Sequence, residues 1–348
     1  MADKYLEVKD LKIHFKLEEG ILKAVDGVSF SLEKGKTLGL VGESGCGKSV
    51  TSQALLRIVP DPGFIKGEIL LHNEGDSKPV DMVAPDKDSP FIRGIRGKDI
   101  SMIFQEPMTS FSSYYTMGNQ LMEAILLHRT KDPVEAKKIA IEMMRKVGIA
   151  NPEKRINEYP HEFSGGMRQR MMIAMALSCN PGLLIADEPT TALDVTIQAQ
   201  VLEVMQNLQK EFGMAILFIT HDLGVVAEMC DDVAVMYLGK IVEKGSADEI
   251  FYNPLHPYTK GLLKSIPKIG KDKKTRLESI EGTVPVPLDL DPQCGFCDRC
   301  TEKIEGLCDI NDVPLVEITP GHLVRCFRYE EVLETFEQEQ NTLKESLV

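Results

Sequence analysis

The chain has 348 residues, 43% of them hydrophobic, enough for one main domain with a sizeable core plus an appendage. Its net charge of −13 argues against a broad nucleic-acid-binding face. No apolar run approaches the roughly 18 residues that span a bilayer, and Met1 to Lys4 leads straight into an alternating pattern with no signal-peptide character, so a membrane role is expected to come through partners.

In chain order, Tyr5 to Phe15 and Ala24 to Leu32 alternate apolar and polar residues, which predicts antiparallel strands. Thr37 to Val41 reads as a buried strand feeding a glycine-rich loop, and Ser49 to Ile58 as a helix ending before Pro60. Asp61 to Gly97, rich in Gly, Pro and Asp, predicts loops and short strands; Ile100 to Phe104 is a further strand. Helical patterns dominate Met117 to Val147, interrupted at Asp132 and Pro133. Leu183 to Ala186 and Ala215 to Ile219 are short apolar runs flanking the helical pattern Val195 to Phe212, the spacing of a parallel βαβ unit. Val233 to Tyr237 is one more strand. Ser265 to Asp291 reads as a linker, and the Glu-rich tail from Tyr329 as a solvated helix.

Two stretches place small residues before a helical segment, where free N–H groups and the helix dipole favour an anion. Gly42-Glu43-Ser44-Gly45-Cys46-Gly47-Lys48-Ser49 satisfies G-x-x-x-x-G-K-S between strand and helix. There the backbone cradles α- and β-phosphates, Lys48 reaches the β- and γ-phosphates, and the Ser49 hydroxyl ligates Mg²⁺. The second stretch, Phe163-Ser164-Gly165-Gly166-Met167-Arg168-Gln169-Arg170, has no lysine. Leu183 to Glu188 is an apolar strand ending in two acids: Asp187 suits Mg²⁺, and Glu188 the polarisation of an attacking water. Gln105 and His221 each follow a strand and, alone, read as a polar loop residue and a structural cap.

Together, and in this order, these pieces resemble the ATP-binding subunit of an ABC transporter over residues 1 to about 250. Gly42 to Ser49 resembles Walker A, Gln105 the Q-loop glutamine, and Phe163 to Arg170 the signature motif. Leu183 to Glu188 resembles Walker B with its catalytic glutamate, Ala192-Leu193-Asp194 the D-loop, and His221 the switch histidine. The resemblance implies a P-loop α/β core: a mixed sheet with a RecA-like parallel part, an antiparallel β subdomain, an inserted helical subdomain and a cysteine-rich C-terminal extension. It implies an ATP-binding domain over 1–255, with the helical subdomain at about 107–165, and an extension over 256–348. Phe15 is expected to stack on adenine, Val50 to join the loop in binding ATP, and Gln105 to share Mg²⁺ with Ser49 and Asp187. The signature departs from L-S-G-G-Q at Phe163 and Met167, but Ser164, Gly165 and Gly166 are intact. In the family these residues and Asp194 complete the nucleotide site of a partner subunit.

Tyr237 to Gly245, then Asn253-Pro254-Leu255-His256-Pro257-Tyr258-Thr259, is similar to the subfamily serving oligopeptide, dipeptide and nickel importers; without the family, His256-Pro257-Tyr258 reads as a surface turn. The subfamily implies a second, non-identical ATP-binding subunit, two membrane-spanning permease subunits and an extracytoplasmic solute-binding protein, with no nucleic acid. This chain would sit at the cytoplasmic face of the membrane. Peptides are the first expectation for the solute; nickel and oligosaccharides remain alternatives. DNA-repair and chromosome ATPases with the same motifs carry longer insertions, translation factors carry two P-loops, and an intact Walker B pair argues against a purely redox-sensing module.

Of eight cysteines, five fall between Cys294 and Cys326. By resemblance, Cys294, Cys300, Cys308 and Cys326 hold a [4Fe–4S] cluster, with Cys297 an extra or alternative thiol. Read alone, C-x₂-C-x₂-C resembles a ferredoxin run, and four thiolates also suit zinc.

Overall fold

The computed structural model describes residues 3–72, 78–105, 110–191, 193–266 and 280–346. The chain opens with β1 (Lys4–Leu17) and β2 (Gly20–Glu33), an antiparallel pair burying Leu6, Val8, Leu11 and Ile13 against Val25, Val28, Phe30 and Leu32. Asp10, at φ 44°, sits in the register shift between Val8 and Leu11, which lets both of these residues, three apart in sequence, point into one core. β3 (Thr37–Val41) is buried at every residue, as a strand covered on both faces must be. It feeds α1 (Lys48–Leu55).

The stretch expected to be loops and short strands instead holds the nine-residue β4 (Gly63–Leu71), followed by β5 (Val80–Asp81). β4 pairs antiparallel with β1, completing a sheet of order β2-β1-β4-β5. Gly67, at φ 95°, faces the Asp10 irregularity, where a Cβ would lie 2.4 Å from the Asp10 carbonyl oxygen. That glycine is demanded by the strand's partner.

After α2 (Pro90–Ile95) and β6 (Ile100–Ile103) come α3 (Met117–His128), α4 (Pro133–Lys146), the short α5 (Pro152–Arg155) and α6 (Gly165–Leu177). Asp132 caps α4 by accepting the Val134 N–H at 2.9 Å, and Pro133 begins the helix without needing a donor. Leu121, Ile125, Ala140, Met144 and Met171 join these helices in one apolar cluster with residues of the main sheet.

β7 (Leu183–Asp187), α7 (Val195–Phe212) and β8 (Ala215–Thr220) form the expected parallel unit, followed by α8 (Leu223–Met229), β9 (Asp232–Tyr237) and β10 (Lys240–Ser246). Then come α9 (Ala247–Tyr252), α10 (Pro257–Lys264), the small hairpin β11 (Val316–Thr319) and β12 (His322–Val324), and α11 (Glu330–Ser346). The main sheet has eight strands in the order β11-β12-β10-β9-β3-β8-β7-β6; β9, β3, β8, β7 and β6 are parallel neighbours.

The C-terminal hairpin is continuous with this sheet, because β12 pairs antiparallel with β10. Residues 267–279 of the expected linker lie outside the described residues. Its later part is bound: Pro287 accepts the Lys23 N–H at 2.8 Å and Asp289 donates to the Ile21 carbonyl at 3.1 Å. Nor is α11 solvated all round, since Val332 is fully buried and Phe336 meets Phe327 edge-on at 5.1 Å.

Candidate active site

The carboxyl ends of adjacent parallel strands gather the chemistry-bearing residues, the usual ligand position in an open α/β sheet. β3 delivers the glycine loop, β6 delivers Gln105, β7 delivers Asp187 and Glu188, and β8 delivers His221. The register aligns them, with Val41 opposite Thr220 and Asp187 opposite Ile219.

In the loop, Gly42 has φ 150° and a Cβ there would fall 2.2 Å from the Met236 carbonyl oxygen. Gly47, at φ 104°, caps α1 with no side-chain hydrogen bond, and a Cβ there would fall 2.4 Å from the Ala24 oxygen. Only glycine fits at either place, and the first turn of α1 keeps its N–H groups clear of side-chain caps. Lys48 is 6% exposed and donates to the carbonyls of Gly42 (2.8 Å) and Glu43 (3.0 Å). Ser44 and Gly45 are exposed, whereas Cys46 is fully buried. Val50 packs against the neighbouring core.

The Ser49 hydroxyl donates to Asp187 Oδ1 at 3.2 Å, and Ser52, one turn on, donates to Oδ2 at 3.4 Å. Burial pushes the Asp187 carboxyl above its ordinary value, against the two hydroxyls that hold it down. One buried carboxylate beside a hydroxyl and a phosphate loop fits Mg²⁺, which keeps several waters and takes phosphate oxygens rather than needing a closed protein cage.

Glu188 stands at φ 48°, a left-handed conformation costly for a side chain with a Cβ. Its N–H is tied to the Ile219 carbonyl at 2.8 Å. Its carboxylate receives Gln105 Nε2 and Thr191 Oγ1, both at 3.0 Å, on Oε2, while His221 Nδ1 lies 3.2 Å from Oε1. Burial raises its pKa, but these hydrogen bonds outweigh it and the group ends below the ordinary carboxylate range. A carboxylate so held is ionised at neutral pH and can accept a proton from water.

The signature segment lies at the start of α6. Ser164 caps the helix by accepting the Met167 N–H at 3.3 Å, and Ser164 and Gly165 are exposed. Asp194 is likewise an exposed cap, accepting the Ile197 N–H at 3.0 Å on α7. Ala192, the first residue of the expected D-loop, lies outside the described residues, as do residues 106–109 after Gln105. Phe15 is half-buried on β1, opposite Leu22 on β2 and Gly63 on β4.

Residues 25–191 match the family model described as ABC transporter, and residues 242–308 match the oligopeptide/dipeptide transporter C-terminal region. The probable peptide ABC transporter ATP-binding protein y4tR of Sinorhizobium fredii is 48% identical over 334 residues, 95% of this chain and 97% of that one. The chain belongs to the ABC transporter ATP-binding family. The oligopeptide transport ATP-binding protein OppD of Bacillus subtilis is 55% identical over 282 residues, 80% of this chain and 76% of its own length. Among solved structures, cbiO1 from Clostridium perfringens, part of the ABC transporter complex cbiONQ, aligns at TM-score 0.59 and 27% identity, covering 72% of this chain and 92% of that one.

Within this ABC ATP-binding chain, several site residues carried no role in the sequence reading. Ser52 follows Ser49 by one helical turn, a spacing that places both on Asp187. Thr191 follows Glu188 by three. Gln169, inside the signature run, is 1% exposed and donates its amide to the Pro189 carbonyl, tying α6 to the loop after Glu188. Its Oε1 is buried without a partner among the described residues. Tyr258 is fully buried and His256 is 2% exposed, so the His256-Pro257-Tyr258 segment is an interior corner, not a surface turn.

The five late cysteines share one neighbourhood. The Cys294 N–H donates to the Cys308 carbonyl at 2.8 Å, and Cys297, Cys308 and Cys326 are buried in a small core with Val324 and Phe327. Burial pushes the thiols of Cys294, Cys297, Cys300 and Cys326 up, to about 12 at Cys294 and about 11 at Cys297 and Cys326. Among the described residues, no three His, Cys, Asp or Glu side chains converge to hold a metal ion. The tetrahedral convergence zinc requires is therefore not formed, and the expected ligand set is present as a gathering of thiols rather than as a built metal site.

Proposed function

We propose that this chain hydrolyses ATP to power uptake of di- or oligopeptides through a membrane complex. The observation that carries the peptide assignment is the match of residues 242–308 to the oligopeptide/dipeptide transporter C-terminal region. The 48% likeness to a probable peptide ABC transporter ATP-binding protein along nearly the whole chain supports it.

In this reading the backbone from Gly42 to Lys48 and the Lys48 ammonium bind the phosphates of ATP, with Val50 behind the loop and Phe15 at the base. Ser49, Asp187 and Gln105 hold Mg²⁺, which supplies charge neutralisation at the phosphates. Glu188 accepts the proton of the attacking water. His221 and Gln105 orient Glu188 through the hydrogen bonds they share with it. Ser164, Gly165 and Asp194 stand exposed, with Gly166 half-buried beside them, and together they serve the nucleotide of a second ATP-binding subunit, non-identical to this one, so that binding closes the pair and hydrolysis reopens it.

Residues 1–255 form the ATP-binding unit in this scheme, and the helices within about 107–165 pass its motion to two permease subunits at the cytoplasmic face of the membrane. No helix among the described residues is long and apolar enough to cross a membrane, which is consistent with attachment through partners. An extracytoplasmic binding protein selects the solute. Residues 256–348 form the extension, whose Cys294, Cys300, Cys308 and Cys326 we read as the ligands of a [4Fe–4S] cluster. The gathering of thiols supports that reading: such a cluster interposes its own iron and sulfide, so its ligands sit wider apart than around a single ion. Iron and acid-labile sulfide in anaerobically purified protein test it; zinc without iron overturns it.

Reconstitution with the permeases and binding protein in liposomes tests the transport reading. ATP-dependent uptake of labelled peptides is expected. Uptake of nickel or an oligosaccharide with no response to peptides would overturn the peptide assignment.

A further inference from the structure

The scheme above leaves unused the Tyr258 corner and Arg299, which sits between Cys297 and Cys300. Both reach the same residue of the phosphate loop. Glu43 is held at three points. Its N–H donates to the Tyr258 hydroxyl at 2.8 Å, and its carbonyl accepts from Lys48 at 3.0 Å. Its carboxylate receives the two terminal nitrogens of Arg299, at 2.7 Å on Oε2 and 3.0 Å on Oε1.

The Arg299 side chain is 6% exposed, and its other hydrogen bonds are anchored away from the loop. Nε donates to the Glu281 carbonyl at 2.9 Å, one terminal nitrogen donates to the Gly282 carbonyl at 3.3 Å, and the other to the Tyr237 hydroxyl at 3.3 Å. Tyr237 packs edge-on against both Tyr258 (4.7 Å) and Phe296 (5.2 Å), which closes the bracket. A bidentate guanidinium–carboxylate pair fixes orientation as well as distance, and it is strongest when shielded from water.

The loop from Gly42 to Gly47 contains three glycines, so its backbone carries unusual conformational freedom that must be surrendered around phosphates. Glu43 is its one long side chain. We propose that Arg299 is a positioning residue for ATP binding: through its fork on Glu43 it pre-orders the phosphate loop, and so makes nucleotide affinity depend on the packing of the cysteine-rich segment. This inference rests on the nucleotide-binding reading of the loop.

The test is a double-mutant cycle on the full chain, reading Mg-ATP affinity with a labelled nucleotide for wild type, Arg299→Gln, Glu43→Gln and the double variant. Each single change is expected to weaken binding by about tenfold, the scale of a shielded charged hydrogen-bonded pair, and the double to be no weaker than either single. In Arg299→Gln the KM for ATP should rise more than kcat falls. Arg299→Lys, which keeps charge but not the fork, should fall between. Should Arg299→Gln fail to fold, Glu43→Gln leaves the carbonyl anchors of Arg299 in place and carries the test alone. Affinities within about twofold of wild type, or fully additive losses, overturn the inference. If wild type binds no ATP, or Lys48→Ala binds as well as wild type, the nucleotide reading fails instead.

Discussion

His221 Nδ1 lies 3.2 Å from Glu188 Oε1, while the other oxygen of the same carboxylate takes two further donors. Glu188 is thus aimed as well as charged, and its left-handed backbone is held by a bond to the strand that carries His221.

Replacing Glu188 with Gln keeps the size and an acceptor oxygen but removes the proton acceptor. Steady-state ATP hydrolysis should fall by roughly 10²- to 10⁴-fold while ATP binding persists. A phosphate-release assay beside equilibrium nucleotide binding checks both halves, and turnover close to wild type would remove Glu188 from the proposed role.

Asp187 invites the opposite trade. Its folded pKa lies above the unfolded value, so the group favours folding only at acid pH, and that contribution is lost as pH rises through the folded value. At neutral pH the buried carboxylate is a burden on the fold. Asp187→Asn should raise the unfolding free energy at neutral pH and weaken Mg²⁺-dependent nucleotide binding. Urea denaturation and Mg²⁺ titration measure the two effects; a destabilised variant with intact Mg²⁺ dependence would contradict both.

His256 sets a pH dependence far from the nucleotide. Burial pushes its imidazole down to about 3; a hydrogen bond to the Arg325 backbone opposes the shift, and the Arg325 and Lys260 charges add to it. Its Nδ1 accepts the Tyr258 N–H at 3.1 Å, which requires the neutral ring. The folded pKa is depressed, so the stability it contributes is complete above the unfolded value near 6.5 and is lost as pH falls toward 3. His256→Asn keeps an acceptor for Tyr258 and removes that titration. Between pH 6 and 5 the unfolding free energy of wild type should drop by about 1.2 kcal/mol more than that of the variant. His322 and Glu243, paired at 2.8 Å nearby, are the same in both proteins. Parallel stability curves would show that His256 is not the sensor.

What sequence made legible follows the range of the forces involved. The buried strands Thr37–Val41, Leu183–Asp187 and Ala215–Thr220 are continuous apolar runs, and their positions in the sheet agree with the parallel unit read from spacing. β4 was hidden because its burial alternates weakly and its Gly63 and Gly67 answer to neighbours on β1, which no local pattern displays. The β11–β12 hairpin was hidden because three- and four-residue strands lack a period to detect. In the site, residues adjacent to a motif could be read from it. The Arg299 fork on Glu43 spans 256 positions, and Gln169 acts through a backbone carbonyl; neither leaves a trace in spacing.

The pairing of β12 with β10 has a consequence for how this molecule behaves in company. Without that hairpin, β10 would present a row of unsatisfied N–H and C=O groups on a long, largely buried strand, a template for stray chains. With it, the sheet ends in the four-residue β11, whose residues are alternately half-buried and exposed. The C-terminal region thus acts as a selvedge: it keeps the woven edge of the main sheet from joining another copy.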